Sequence, residues 1–154
     1  MSEDTSERQL CTFALDDLYL ALPVADVQEV LRAQALTRIP LAPTAVRGLI
    51  NLRGQIVTAL DLRTILGMKA GPPGQAPMNL VLRGEGFSLL VDDIGDVVGV
   101  VDAAGEDPPA TLREDLRSVC SAVFKLEHRL LVELDASGLI ERAFATAAVE
   151  GAIA

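Results

Sequence analysis

Residues 46–67 read VRGLINLRGQIVTALDLRTILG, and the fold follows from how this stretch divides. Leu49, Ile50 and Leu52 make one apolar run; Ile56, Val57, Ala59, Leu60 and Leu62 make a second. Between them stands Arg53-Gly54, with glycine at the second central position of a tight turn, where a positive φ is needed and other residues resist it. The stretch therefore reads as a hairpin of two apolar strands. Asp61 takes the place of a helix N-cap, its carboxylate able to accept from the free amides that open Leu62-Arg63-Thr64-Ile65-Leu66, and Gly67 supplies the stop. The turn pushes one guanidinium, Arg53, out of an otherwise apolar ribbon. Solvation of a hairpin tip is the commonest reason for such an arginine.

Outward from the hairpin, residues 1–9 are polar and are expected to form a disordered N-terminal tail. From Leu10 onward Phe13, Leu15, Leu18, Leu20 and Leu22 alternate around Asp16-Asp17, the period of two that marks a hairpin with a buried face. Val24, Val27 and Val30 follow, with Asp26 and Glu29 between them, and Pro40 and Pro43 bound a loop before the central hairpin. Residues 67–78 (GMKAGPPGQAPM) and 103–111 (AAGEDPPAT) are loops by composition. The closing residues 143–154, AFATAAVEGAIA, suit either a packed or a frayed helix.

The chain also repeats itself in phase. Shifted by 67 positions, Phe13 meets Leu80, Leu20 meets Phe87, Val24 meets Val91, Asp26 meets Asp93 and Val30 meets Val97. Shifted by 74, Ile50 meets Phe124, Leu52 meets Leu126, Ile56 meets Leu130, and Leu60-Asp61 meets Leu134-Asp135. Two matches in the same order, each ending in a possible helix cap, predict two similar β units. Closure into barrels would remove the exposed edges of such short strands. One difference is informative. Where the first unit turns on Arg53-Gly54, the second turns on Glu127-His128, so Arg53 is not simply what the turn requires, and the weight shifts toward recognition.

Composition limits the function. The 154 residues are 50% hydrophobic with a formal net charge of -9, enough to bury a core and of the wrong sign for nucleic acid or an anionic membrane surface. No apolar run is long enough to span a bilayer, and the polar start lacks the regions of a signal peptide, so a cytoplasmic protein is expected. Cys11 and Cys120 read as small buried hydrophobes without a disulfide. One histidine, His128, and two isolated cysteines give no metal set, and no nucleophile or phosphate-loop motif occurs. Asp16-Asp17 and Asp92-Asp93 follow apolar strands directly, which suits a turn and a strand exit better than acid–base work. Neither catalysis nor a cofactor is expected. With 3% aromatics, stacking platforms for single strands or sugars are lacking as well. What remains is binding to the helices or strands of other proteins.

The run Gly48-x-x-Asn51-Leu52-Arg53-Gly54-x-Ile56-Val57-x-x-x-Asp61-Leu62-Arg63 resembles the signature of the CheW adaptor family, the coupling proteins of bacterial chemosensory arrays. The resemblance covers residues 10–142 and implies an all-β fold of two SH3-like five-stranded β-barrel subdomains with short helices. It implies a stand-alone, non-catalytic adaptor joining the cytoplasmic tip of methyl-accepting chemoreceptors to the regulatory domain of a CheA-type histidine kinase. Carried onto matching positions, the receptor side comprises Val27, Glu29, Gly48, Asn51, Arg53 and Gly54. Val27 and Glu29 belong to VQEV, which looks like the family's V-x-E-[VI] segment, and Val27 and Val30 suit simple core packing equally well. The kinase side is the LTRIP segment, with Leu36, Ile39 and Pro40. Two positions depart from the family: Thr58 stands where proline is frequent, and Asp93 where glycine is frequent, adding a charge near the presumed groove between barrels. Output through a type IV pilus or another non-flagellar system, and a small-molecule sensor holding a metabolite between the barrels, are the alternative readings.

Overall fold

The computed structural model describes residues 7–71, 74–84 and 86–153, the side chains of 146–153 excepted. Ten strands run through it: β1 (Glu7–Leu15), β2 (Leu18–Pro23), β3 (Val27–Leu31), β4 (Val46–Leu52), β5 (Gln55–Asp61), β6 (Met78–Leu82), β7 (Phe87–Val91), β8 (Asp93–Val101), β9 (Cys120–Lys125) and β10 (Leu130–Leu134). Three α-helices are interspersed: α1 (Leu62–Ile65), α2 (Glu114–Arg117) and α3 (Ala136–Ile153). The strand onset at Glu7 corrects the expected tail of residues 1–9, because Glu7–Gln9 ladder onto Gly99–Val101; residues 1–6 lie outside the described set. The Ala-rich end is helical, as the continuation of α3.

The strands form two five-stranded sheets, ordered β8-β1-β2-β10-β9 and β3-β6-β7-β5-β4. Adding five to each strand number, modulo ten, turns the second order into the first. The internal repeat is therefore a pseudo-twofold, and the two halves are intertwined: the hairpin β1–β2 joins the sheet of β8–β10, while β6–β7 joins that of β3–β5. Register obeys the same rule. Thr58 pairs with Phe87 in the parallel β5–β7 contact, and their equivalents Val132 and Leu20 pair in β10–β2. Ile50 pairs with Val57, and Phe124 with Leu131. The 67-residue offset fails for β1 itself: Cys11, not Phe13, pairs with Val97 and Leu22 as Leu80 pairs with Val30 and Leu89, so β1 stands two residues out of that phase.

Neither sheet closes into a hydrogen-bonded ring among the described residues, which corrects the closed barrels of the sequence reading. The physical reason lies at the edges. Thr37 from the preceding loop pairs with Leu49 on β4, and Glu106 pairs with Val123 on β9, so a single loop residue covers the same position of each edge strand and takes the place of the other edge.

Both faces of the inner strands of each sheet are nonetheless buried. Ile50, Leu52, Val57, Ala59, Val81 and Leu90 form a core inside the second sheet, and Leu10, Ala21, Val100, Phe124 and Leu131 form one inside the first. The alternate residues, among them Phe13, Leu20, Leu60, Leu80, Leu89 and Val132, meet in a third core shared between the sheets. This is why so many strands read as continuous apolar runs. Thr58 donates its amide to the Gly86 carbonyl at 3.0 Å, a bond that a proline there would forgo.

Candidate interaction surfaces

The hairpin β4–β5 turns as its residues predict. Arg53 has φ +50° and Gly54 φ +86°, the two left-handed positions of a type I′ turn, whose twist matches that of the strands. Asn51 Oδ1 accepts from the Gly54 amide at 3.0 Å and fixes the tip. Asparagine or glycine takes the first left-handed position at lower cost than arginine, by roughly 1–2 kcal/mol. A turn made only to reverse the chain has cheaper residues than Arg53.

The Arg53 side chain is 68% exposed, yet it has a partner: Nη2 lies 2.5 Å from Oε2 of Glu29, whose side chain is 25% exposed. Glu29 stands on β3, at the opposite end of the sheet from β4. The pair thus holds the two ends of the curled sheet together at its rim. Glu29 Oε1 is buried and has no partner among the described residues, so Arg53 is the counter-charge for that carboxylate. Beside the tip, Ile56 is 60% exposed, and a depression of about 470 Å³ opens between Gln28, Gln55, Ile56 and Gly84.

Of the six residues expected on this side, Glu29, Asn51, Arg53 and Gly54 come together at the rim. Val27 and Gly48 do not present themselves there. Val27 is 7% exposed in the shared core, while a register shift between Val27 and Glu29 accompanies Val30 standing 37% exposed. Gly48 is buried because the chain crosses it: a Cβ at this position would lie 2.7 Å from the Thr37 carbonyl oxygen. Its absence lets Thr37 and Leu49 exchange both amide–carbonyl bonds, at 2.9 and 2.8 Å. Gly48 therefore seats the other expected surface.

That surface is the strap 32–41, in which all ten residues are exposed. Leu36 and Ile39 are each 38% exposed, and Leu41 fully so. Pro40 lies between the last two, and the strap runs on toward the base of the hairpin. Leu41, Arg32 and Arg38 were not singled out from the sequence. The spelling LTRIPLAP (residues 36–43) between two strands reads as a loop, and it takes the structure to show that its leucines stay in solvent.

Behind both surfaces lies an ionic network that sequence reasoning missed. Arg63, on α1, is 7% exposed. Its Nε donates to Asp92 Oδ1 at 2.9 Å and its Nη2 to Asp16 Oδ1 at 2.5 Å; Nη2 also reaches Asp92 Oδ2, and Nη1 donates to the Lys69 carbonyl at 3.0 Å. Burial alone would raise the Asp92 carboxyl, but its bonds to Arg63 and to the Asp16 amide outweigh this and leave it below the usual carboxylate range, while the same bonds raise the guanidinium. Asp61 caps α1 by accepting from the Arg63 amide and also binds Arg47 at 2.6 Å. The acidic pairs thus fold the chain: Asp16 turns β1 into β2 with φ +50°, and Asp92 leaves β7. Asp93 is exposed and caps its own strand through the Ile94 amide.

Beside this network, space for a metabolite is small. The opening beside this network measures about 240 Å³, below the range of small-molecule sites, and its charged residues Arg47, Asp61, Arg63 and Asp92 are already engaged with one another or with Asp16. Among the described residues, no group of three His, Cys, Asp or Glu side chains is placed to hold a metal, and no helix is long and apolar enough to cross a membrane. His128 and Glu127 form an exposed turn, and Cys11 and Cys120 are free, half-buried thiols.

Known proteins share this family and fold. The family model described as CheW-like domain matches residues 9–144. "Chemotaxis protein CheW" of Rhizobium meliloti is 33% identical over 132 residues, covering 83% of this chain and 85% of that protein. "Probable chemotaxis protein CheW" of Rhizobium etli is 28% identical over 139 residues, covering 88% and 90%. Among solved structures, the scaffolding protein TtCheW of Thermoanaerobacter tengcongensis superposes with a TM-score of 0.79 at 24% identity, over 88% of this chain and 94% of that one.

Proposed function

The chain belongs to the CheW-like family of non-catalytic chemotaxis scaffold proteins, and from that premise we propose that it couples the cytoplasmic tips of chemoreceptors to the regulatory domain of a CheA-type histidine kinase. The carrying observation is one rigid hairpin with an exposed group at each end. Arg53 stands at the tip, with Asn51, Gly54, Glu29 and the exposed Ile56 around it. Alongside β4, from Thr37 paired with Leu49 toward the hairpin base, about four to seven residues or roughly 13–23 Å from the tip, the strap presents Leu36, Ile39 and Pro40.

On this reading the tip takes the receptor and the strap takes the kinase, in the cytoplasm at the receptor array. The mechanism is positional. Occupying both ends of a stiff ribbon fixes the separation of the two partners and raises the effective concentration of one at the other. The guanidinium gives the receptor face a charge-assisted donor for a carboxylate or for helix-end carbonyls.

The test is Arg53→Glu, measured separately against a receptor tip and a kinase regulatory domain. Receptor binding is expected to fall at least tenfold (roughly 1.4 kcal/mol) with kinase binding retained. Because Glu29 pairs with Arg53, the exchanged pair Glu29→Arg/Arg53→Glu is the control. It rebuilds the ion pair with its charges transposed, so recovery of receptor binding would assign the effect to rim geometry, and continued loss to the guanidinium itself. Equal loss of both partners, or of neither, refutes the division of faces.

A further inference from the structure

We infer that the strap recognises an apolar pocket rimmed by carboxylates on the kinase regulatory domain, with Leu41 as its anchor and Arg32 and Arg38 as its charged rim; this rests on the coupling reading above and specifies the chemistry of one of its faces.

The first observation is the state of Leu41. Its side chain is wholly exposed and its backbone sits at φ +62°, a conformation that leucine rarely takes. Mobility does not explain this, because the strap is tied down on both sides. Thr37 pairs with Leu49 in both directions, the Ala42 amide donates to the Ile39 carbonyl, and the Val46 amide donates to the Pro43 carbonyl at 2.9 Å. Pro40 and Pro43 fix two further φ angles. An apolar side chain held out by a fixed backbone is what an anchor requires: little is left to order when it enters a pocket. Around it, Ile39, Pro40, Ala42 and Pro43 line a concavity of about 750 Å³ that receives the rim of such a partner.

The second observation is charge. Arg38 lines that concavity and Arg32 opens the strap directly after β3; neither has an ion-pair partner among the described residues, whereas Arg47, at the edge of the concavity, is held by Asp61. The wider distribution agrees. Residues 27–91, which supply the whole second sheet, carry seven Lys and Arg against three Asp and Glu; the remainder carries six against nineteen. In a protein of net charge -9 the strap therefore belongs to the segment of net positive charge. An acidic partner is drawn to that segment and repelled by the remainder, so the charge distribution favours both the partner and its orientation.

Binding of the full chain to a purified kinase regulatory domain, followed from about 50 to about 500 mM salt, tests the inference. The wild-type complex is expected to weaken roughly tenfold over that range, and Arg32→Glu/Arg38→Glu to weaken the low-salt complex by a similar factor while flattening its salt dependence. Leu41→Ser should weaken binding at every salt concentration without altering the slope. All three side chains are exposed, so melting temperatures serve as a check on folding. A salt-insensitive complex, or wild-type affinity in the double arginine variant, overturns the inference and leaves the coupling reading intact. Self-association of the chain that Leu41→Ser abolishes overturns it in favour of a second copy as the occupant. Failure to form any complex at low salt refutes the coupling reading itself.

Discussion

Replacing Arg63 with alanine removes one guanidinium and strands two carboxylates. Asp92, whose side chain is 19% exposed, loses its counter-charge in a partly buried setting, and Asp16, at 56%, is left facing it. Breaking a buried pair by deleting one partner costs about 3–5 kcal/mol. Solvent screening at Asp16 discounts that figure, so about 3 kcal/mol is expected, and for a chain of this size a fall of about 6–12 °C in melting temperature. The sign of the pH dependence is the sharper readout. In the wild type the Asp92 carboxyl lies below its usual range, so its contribution is fully present above the unfolded-state value, near 3.9, and is lost as pH falls through the depressed folded-state value. In Arg63→Ala, burial and the facing Asp16 push the folded-state value of Asp92 the other way. Its penalty is then present at neutral pH and relieved by protonation, so the deficit relative to wild type shrinks as pH drops from 7 toward 4. Urea unfolding at a series of pH values measures both effects. A variant within about 1 kcal/mol of wild type, with a parallel pH profile, would refute the reading that Arg63 is the counter-charge on which Asp92 and Asp16 depend.

Two further outcomes follow from packing. Gly48→Ala places a Cβ against the Thr37 carbonyl at 2.7 Å, and neither backbone can yield without breaking the bridge; a loss of about 1–3 kcal/mol should accompany faster hydrogen exchange at Thr37 and Leu49, with the amides of β7 still protected. Burial raises the thiols of both Cys11 and Cys120, so both should alkylate slowly at neutral pH and promptly in denaturant, as mass spectrometry would show.

The sequence disclosed pairing partners better than it disclosed proximity. The offsets of 67 and 74 residues carried enough phase to match Thr58–Phe87 with Val132–Leu20, because alternation records which way each side chain faces. Alternation does not record which strand lies alongside. Nothing in a list of apolar positions distinguishes β1–β2 packing beside β3 from β1–β2 packing beside β8 and β10, so the exchange of hairpins came from the coordinates. The same limit hid the Arg63 network. Asp16, Arg63 and Asp92 are separated by 47 and 29 residues, and each has a sufficient local explanation as turn, helix residue or strand exit. Gly48 was legible as a family residue, but its reason, the passage of Thr37, is a tertiary contact. Arg53 was the most legible of all: a two-residue turn leaves a guanidinium nowhere to go but outward, and only its bond to Glu29 had to be seen.

The traded hairpins bear on how such a molecule can arise. A polypeptide of half this length would lack two strands of any five-stranded sheet it tried to build, and a second identical polypeptide could supply them by reciprocal exchange. The architecture is thus open to a symmetric homodimer of short chains, whose assembly would depend on their concentration. Fusing the two end to end makes the exchange intramolecular. It also frees each copy to diverge, which is how one turn can keep an arginine while its twin carries a glutamate.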